Sequence, residues 1–132
     1  MANPNIVNVT SILGETTYLT PSSTSSVILL PNAASSGKVY KINQIVAANV
    51  DGSSAVNTSV DIYTDGSVAQ GSAASGGTAY PIVSTVSVPA DASLIVVDKT
   101  TAIYLMENTS IAVTSGTASK ITYTISYEVI ED

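Results

Sequence analysis

The sequence predicts an all-β fold: one antiparallel β-sandwich, immunoglobulin-like or jelly-roll-like, with no substantial helix. Three observations predict it. Apolar and polar residues alternate with period two through much of the chain. Ser and Thr supply more than a quarter of the residues, Val and Ile are frequent, and this mixture suits a pleated, half-buried surface. The alternating runs are separated by short clusters of Gly, Ser, Asp and Pro, and none joins a helix start signal to a sustained 3.6-residue period. At 132 residues the chain makes a single domain, 1–132, which buries roughly two-thirds of its unfolded surface around one core. Phe and Trp are absent, so that core is built from β-branched side chains and some of the seven Tyr.

The elements follow in order. Candidate strands fall near residues 5–12, 15–20, 26–30, 38–49, 57–64, 80–88, 93–98, 102–106, 109–115 and 119–130. The clearest is the last: in "KITYTISYEVI", Ile121, Tyr123, Ile125, Tyr127 and Val129 share one face while Thr122, Thr124, Ser126 and Glu128 share the other. The turn clusters between strands are "PSSTSS" at 21–26, "PNAASSG" at 31–37, "VDGSS" at 50–54 and "TDGSVAQGSAASGGT" at 64–78. The stretch from Asp65 to Thr78 holds four of the eight Gly and almost no bulky apolar residue, so it is expected on the surface, as a tolerated excursion or a binding loop.

Composition removes many functions. There is no Cys, no His and no Arg, which excludes disulfides, thiolate and imidazole metal sites, Cys or His catalysis and guanidinium forks for phosphate. Four Lys against ten acidic residues give a formal charge of −6, which repels nucleic acid. No apolar run is long enough for a membrane helix, and "MANPNIVNVT" carries neither the basic nor the apolar region of a secretory signal. No cofactor is implied.

The carboxylates read as turn chemistry. Asp51-Gly52 and Asp65-Gly66 are dipeptides favoured in tight hairpin turns with positive φ. Asp61, between Val60 and Ile62, is expected on the outward face of its strand. Asp91, Asp98 and Glu107 lie at joints between strands, where their side chains accept backbone N–H bonds. No calcium-loop spacing occurs, nor a G-x-S-x-G elbow, an S-x-x-K motif or a paired-carboxylate cleft with aromatic platforms. The three N-x-[ST] sequons, at Asn8, Asn57 and Asn108, are what abundant Ser and Thr produce by chance. The Tyr residues sit mostly in strand patterns, with ring bodies inward and hydroxyls wet. The chain reads as a non-enzyme with no metal site.

Two stretches add a resemblance. "VPADASLIVVDKTTAIYLMENTSIAVTS" (88–115) and the Tyr-alternating "ITYTISYEVIED" (121–132) resemble small virion structural proteins of tailed bacteriophages, and "MANPNIVNVTSILG" is similar to those of tailed phages of marine cyanobacteria. In that family pattern Leu94 to Val97 and Ile103 to Leu105 form a hairpin, with Asp98 and Lys99 setting its turn and Glu107 and Asn108 setting the next. The resemblance covers the last forty or so residues best, the first fourteen or so next, and the middle poorly. It implies a β-sandwich protein of the virion: a capsid decoration or cement protein on the outer surface of the assembled head, or else a tail, neck or fibre accessory binding host glycan or receptor. Its partner would be the major capsid protein lattice, and a symmetric homo-oligomer, a trimer, is expected.

The contact segment expected for the capsid or a sister subunit is the N-terminal one: Asn5, Ile6, Val7, Val9, Ile12 and Leu13. Residues 1–13 read equally as an extended arm, able to add to a neighbouring sheet edge, or as the first strand of the sandwich itself.

Overall fold

The computed structural model describes Val7 and residues 11–131. Nine strands form two antiparallel sheets: β1 (Ser11–Leu19), β2 (Val27–Asn32), β3 (Lys38–Asn49), β4 (Val56–Tyr63), β5 (Ala79–Val88), β6 (Ser93–Val97), β7 (Ile103–Leu105), β8 (Thr109–Ser115) and β9 (Ile121–Glu131). The sole helical element among the described residues is a 3-10 turn, Lys99–Thr101. One sheet has the order β1-β9-β3-β6, with β7 also on β3; the other has the order β2-β8-β4-β5. The all-β sandwich expected from period-two alternation is what forms.

The pairing is nested. β1 pairs with β9, β2 with β8, β3 with β6 and β7, and β4 with β5. First meets last, second meets second-to-last, and the middle strands meet each other, which is one long antiparallel ribbon wrapped into two sheets. That is the jelly-roll arrangement. Between the sheets lies a core of aliphatic side chains and tyrosine, with Leu29, Ile42, Ile45, Val60, Ile111, Val113, Ile121, Tyr123 and Ile125 buried in it. β9 supplies it from alternate positions, and Thr122, Thr124, Ser126 and Glu128 lie only half-buried on the other face.

Two buried asparagines close the ends of the sandwich. At the end of β3, the Asn49 amide donates to the carbonyls of Ser54 (2.9 Å), Val88 (2.9 Å) and Pro89 (3.2 Å), and its Oδ1 accepts from the Asp51 N–H. At the end of β2, the Asn32 amide donates to the carbonyls of Lys38 and Leu105, both at 3.0 Å, while its Oδ1 accepts from the Ser36 hydroxyl. Each side chain therefore ties a turn to a strand distant in sequence, satisfying carbonyls that the ladder leaves free.

The structure departs from the sequence expectations in four places. The 5–12 and 15–20 strands are not separate from Ser11 onward: Ser11 to Leu19 pairs with β9 in unbroken register through Gly14. β6 and β7 do not form a hairpin with each other; both run antiparallel to β3, at Ile45 to Ala48 and Tyr40 to Ile42 respectively, so they are two pieces of one interrupted edge. Asp98 caps the 3-10 turn between them, accepting the Thr100 N–H, and a single tight turn returns the chain to the same edge rather than reversing it.

The Asp-Gly pairs differ too. Neither Gly52 nor Gly66 adopts positive φ. Gly66 is required for another reason: a Cβ there would run into the Asn32 carbonyl. Finally, Asp61 is 8% exposed, not solvated. β4 breaks register against β5 twice around Val60, and the chain after it packs Val68 and Ala74 onto Tyr63 and Ala112, the neighbours of Asp61 on the outward face.

That covering chain is the 64–78 stretch. It bonds to β2 through Gly71 N–H to Ile28 O, Ile28 N–H to Ser72 O and Ala74 N–H to Ser26 O. Val68 and Ala74 pack on Ile28, Tyr63 and Ala112, a second small cluster on the outside of the sheet. The loop is on the surface as expected, and it is pinned there.

Candidate functional site

The carboxylates come first, because they are the chemistry-bearing groups. The Asp51 carboxylate accepts the N–H groups of Ser53 and Ser54, Asp65 accepts the hydroxyl and N–H of Ser67, and Asp98 accepts the hydroxyl and N–H of Thr100. These bonds hold all three below the usual carboxylate range: chiefly the Ser53 N–H for Asp51, the Ser67 hydroxyl for Asp65 and the Thr100 hydroxyl for Asp98. Asp91 sits at φ 58° with its N–H on the Asp51 carbonyl, and Glu107 accepts the Gly37 N–H at 2.6 Å. Asp61, by contrast, is pushed up by burial. Asp51, Asp65, Asp91, Asp98 and Glu107 are dispersed among turns, Glu15, Asp61, Glu128 and Glu131 lie in strands, and among the described residues no group of three or more could hold a metal ion.

The tyrosines divide. Tyr123 is buried, its hydroxyl bonded to Thr58 and to the Thr114 carbonyl, and burial raises its pKa to about 12. The Tyr63 hydroxyl accepts the Gly77 N–H and the Tyr127 hydroxyl donates to Glu15 at 3.0 Å, so these buried rings do not leave wet hydroxyls. Burial, then the Glu15 carboxylate, push Tyr127 far above the ordinary phenol range. Tyr18, Tyr80 and Tyr104 are exposed, on β1, β5 and β7, and form no common platform.

Of the N-terminal contact residues, Asn5, Ile6 and Val9 lie outside the described residues. Val7 is 90% exposed. Ile12 and Leu13 belong to β1, opposite Ile130 and Val129 of β9, and are 59% and 55% exposed on opposite faces of the strand.

β1 also differs from the other sheet edges. The β2 edge is covered by the main chain of residues 70–74. β5 carries Pro81, register breaks and Thr85 at φ 53°. The β6 and β7 edge is interrupted by the 3-10 turn. These are the devices that stop a sheet from adding strands. Among the described residues β1 shows neither bulge nor interruption: nine residues pair with β9 in unbroken register, "SILGETTYL" contains no Pro and no Lys, and the Gln70 side chain meets the outer edge at Tyr18.

Beside it, on the outward face of the first sheet, lies a shallow depression of about 350 Å³ lined by Gly14, Thr16, Asn43, Ser126 and Glu128. Gly14 makes it, since a Cβ at that position would touch nothing within 4 Å. Asn43 stands where β3 shifts register between Ile42 and Gln44; its amide donates weakly to Glu128 at 3.5 Å, and its buried Oδ1 has no hydrogen-bond partner. The sequence reading did not single out Gly14, Thr16, Asn43 or Glu128 as site residues. The one available signal was an isolated Gly inside a strand-like run.

No protein-family model, no curated protein and no solved structure matches the chain.

Proposed function

We propose that the chain is a structural component of a tailed-phage virion, a decoration or cement protein that binds the outer surface of the assembled head and stabilises it. The observation that carries this reading is a well-tied jelly roll in which, among the described residues, no carboxylates cluster into a metal site and β1 alone is an edge strand without bulge, Pro or interruption. Such a molecule acts through its surface. The resemblance of residues 88–115 and 121–132 to phage virion proteins supplies the setting, and jelly rolls recur in viral capsid domains, although a fold alone does not fix a function.

A protein that binds only the assembled lattice favours that lattice by its binding free energy. On this reading the chain is not an enzyme, its partner is the major capsid protein lattice, and it works as a symmetric oligomer, a trimer. Immunogold electron microscopy on purified tailed virions tests it: gold spread over the head is the expected result. Gold confined to the tail, neck or fibre tips would refute decoration. It would favour the second reading, an adhesion accessory for host glycan or receptor, whose support is the exposure of Tyr18, Tyr80 and Tyr104.

A further inference from the structure

The free edge of β1 and the depression beside it lie against each other. Gln70 of the covering loop donates to the Tyr18 carbonyl and to Thr17 Oγ1. Its bond to Tyr18 marks the main-chain groups that point away from β9. Because a strand turns its N–H and C=O groups to alternate sides, those of Ile12, Gly14 and Thr16 point the same way, and no other described strand pairs with this side. Three alternate residues therefore offer a ladder that no other described strand uses.

The side chain pocket next to this ladder is rich in acceptors. Glu128 has no ion pair within 4 Å, its register neighbour Lys41 included, and the Asn43 Oδ1 is an unpaired acceptor beneath it. Thr16 and Ser126 add hydroxyls, already bonded to each other at 2.9 Å. A carboxylate and hydroxyls around open space, with the buried Asn43 oxygen adding negative potential behind them, suit a cation with several N–H groups.

We propose that β1 accepts an extended segment of another protein as an added strand, with a Lys or Arg side chain of that segment lying over Gly14 and bonding Glu128. A second copy of this chain fits less well. β1 contains no basic residue, so self-pairing would bring nothing to fill the depression, and the chain carries a formal charge of −6. The partner is thus a different polypeptide, strand-forming and locally basic. This inference stands on the edge and the depression, and does not depend on the virion reading.

The test is an NMR titration of the isotopically labelled full chain with short peptides of alternating Val and Thr, carrying Arg or Glu at the centre. The Arg peptide is expected to shift the backbone amides of Ile12, Gly14 and Thr16 and the Asn43 side-chain amide, and to bind about tenfold more tightly than the Glu peptide. Gly14→Val extends into the depression from a Cβ that meets nothing within 4 Å, and Glu128→Gln removes its charge; each should abolish the preference for Arg while leaving the spectrum folded. Equal binding of the two peptides, shifts mapping elsewhere, or no shift at millimolar Arg peptide would overturn the proposal. So would concentration-dependent changes at Ile12, Gly14 and Thr16 in the protein alone, which would assign the edge to a second copy.

Discussion

Asn49 is the most informative position at which to test how the sandwich is held closed. Its amide has two hydrogens and three carbonyls in reach, and its Oδ1 takes the Asp51 N–H, so about three effective bonds disappear in Asn49→Ala. Val88 O is the buried acceptor among them and loses its side-chain donor without easy access to water, a larger loss than at the half-buried Ser54 carbonyl or Asp51 N–H. Summed, these give a destabilisation of about 3 kcal/mol. With an m-value of about 2 kcal/mol/M, the urea midpoint should fall by roughly 1.5 M, and Tm by roughly 10 °C. Asn49→Asp should be worse than Ala at neutral pH, because a carboxylate would then face three carbonyls with nothing to donate. Burial would raise the pKa of that introduced acid, so its variant keeps the most stability below the ordinary Asp value and loses it as pH rises through the raised one. Urea melts followed by circular dichroism at acid and neutral pH read both effects. A cost below about 1 kcal/mol for Ala, or an Asp variant as stable as Ala at neutral pH, would refute the account of Asn49 as the closing residue.

Three further outcomes are expected. Gly66→Ala should destabilise by roughly 3 kcal/mol, because the new methyl group meets the fixed Asn32 carbonyl rather than a side chain that can move; thermal melts check this. Asp61→Asn should raise stability at neutral pH: burial lifts the Asp61 pKa, so the native protein holds that stability only below the ordinary Asp value and loses it as pH climbs through the raised one. Urea melts across the acid range should show this pH step in the native protein and not in the variant. Tyr123→Phe should cost about 1 kcal/mol in the same melts, since it removes both bonds of the buried hydroxyl and leaves Thr58 only its long bond to the Thr114 carbonyl, 3.4 Å.

The strands were legible because period-two alternation survives wherever one face is buried, and β9 is the clearest instance. What misled was chemistry shared by different geometries. Asp98 followed by Lys99 and two Thr reads as a hairpin turn, yet the same side-chain bonds cap a 3-10 turn that keeps the chain on one edge. Asp61 reads as solvated because its neighbours are apolar, but the loop that covers it comes from residues with no apolar pattern of their own, held by main-chain bonds that leave no mark in composition. Gly66 looked like a turn glycine, and only the fold brings Asn32 against it. The depression at Gly14 depends on β1, β3 and β9 lying side by side, and a bulge at Asn43 that no local signal announces. The β texture of Ile12 and Leu13 was legible in the sequence; their exposure on both faces of an edge strand was not.

The nested pairing also governs how the molecule comes into being. Ser11 faces Glu131 across the ladder, so β1 has no strand to join until nearly the whole chain has been synthesised. Only the innermost pair, β4 with β5, can close early, through the short excursion between them. Contacts of such long sequence separation place folding in the millisecond-to-second range typical of all-β domains. Until β9 emerges, Ile12 and Leu13 of β1 have no strand beside them, and nascent chains crowded together would meet one another through β1 first.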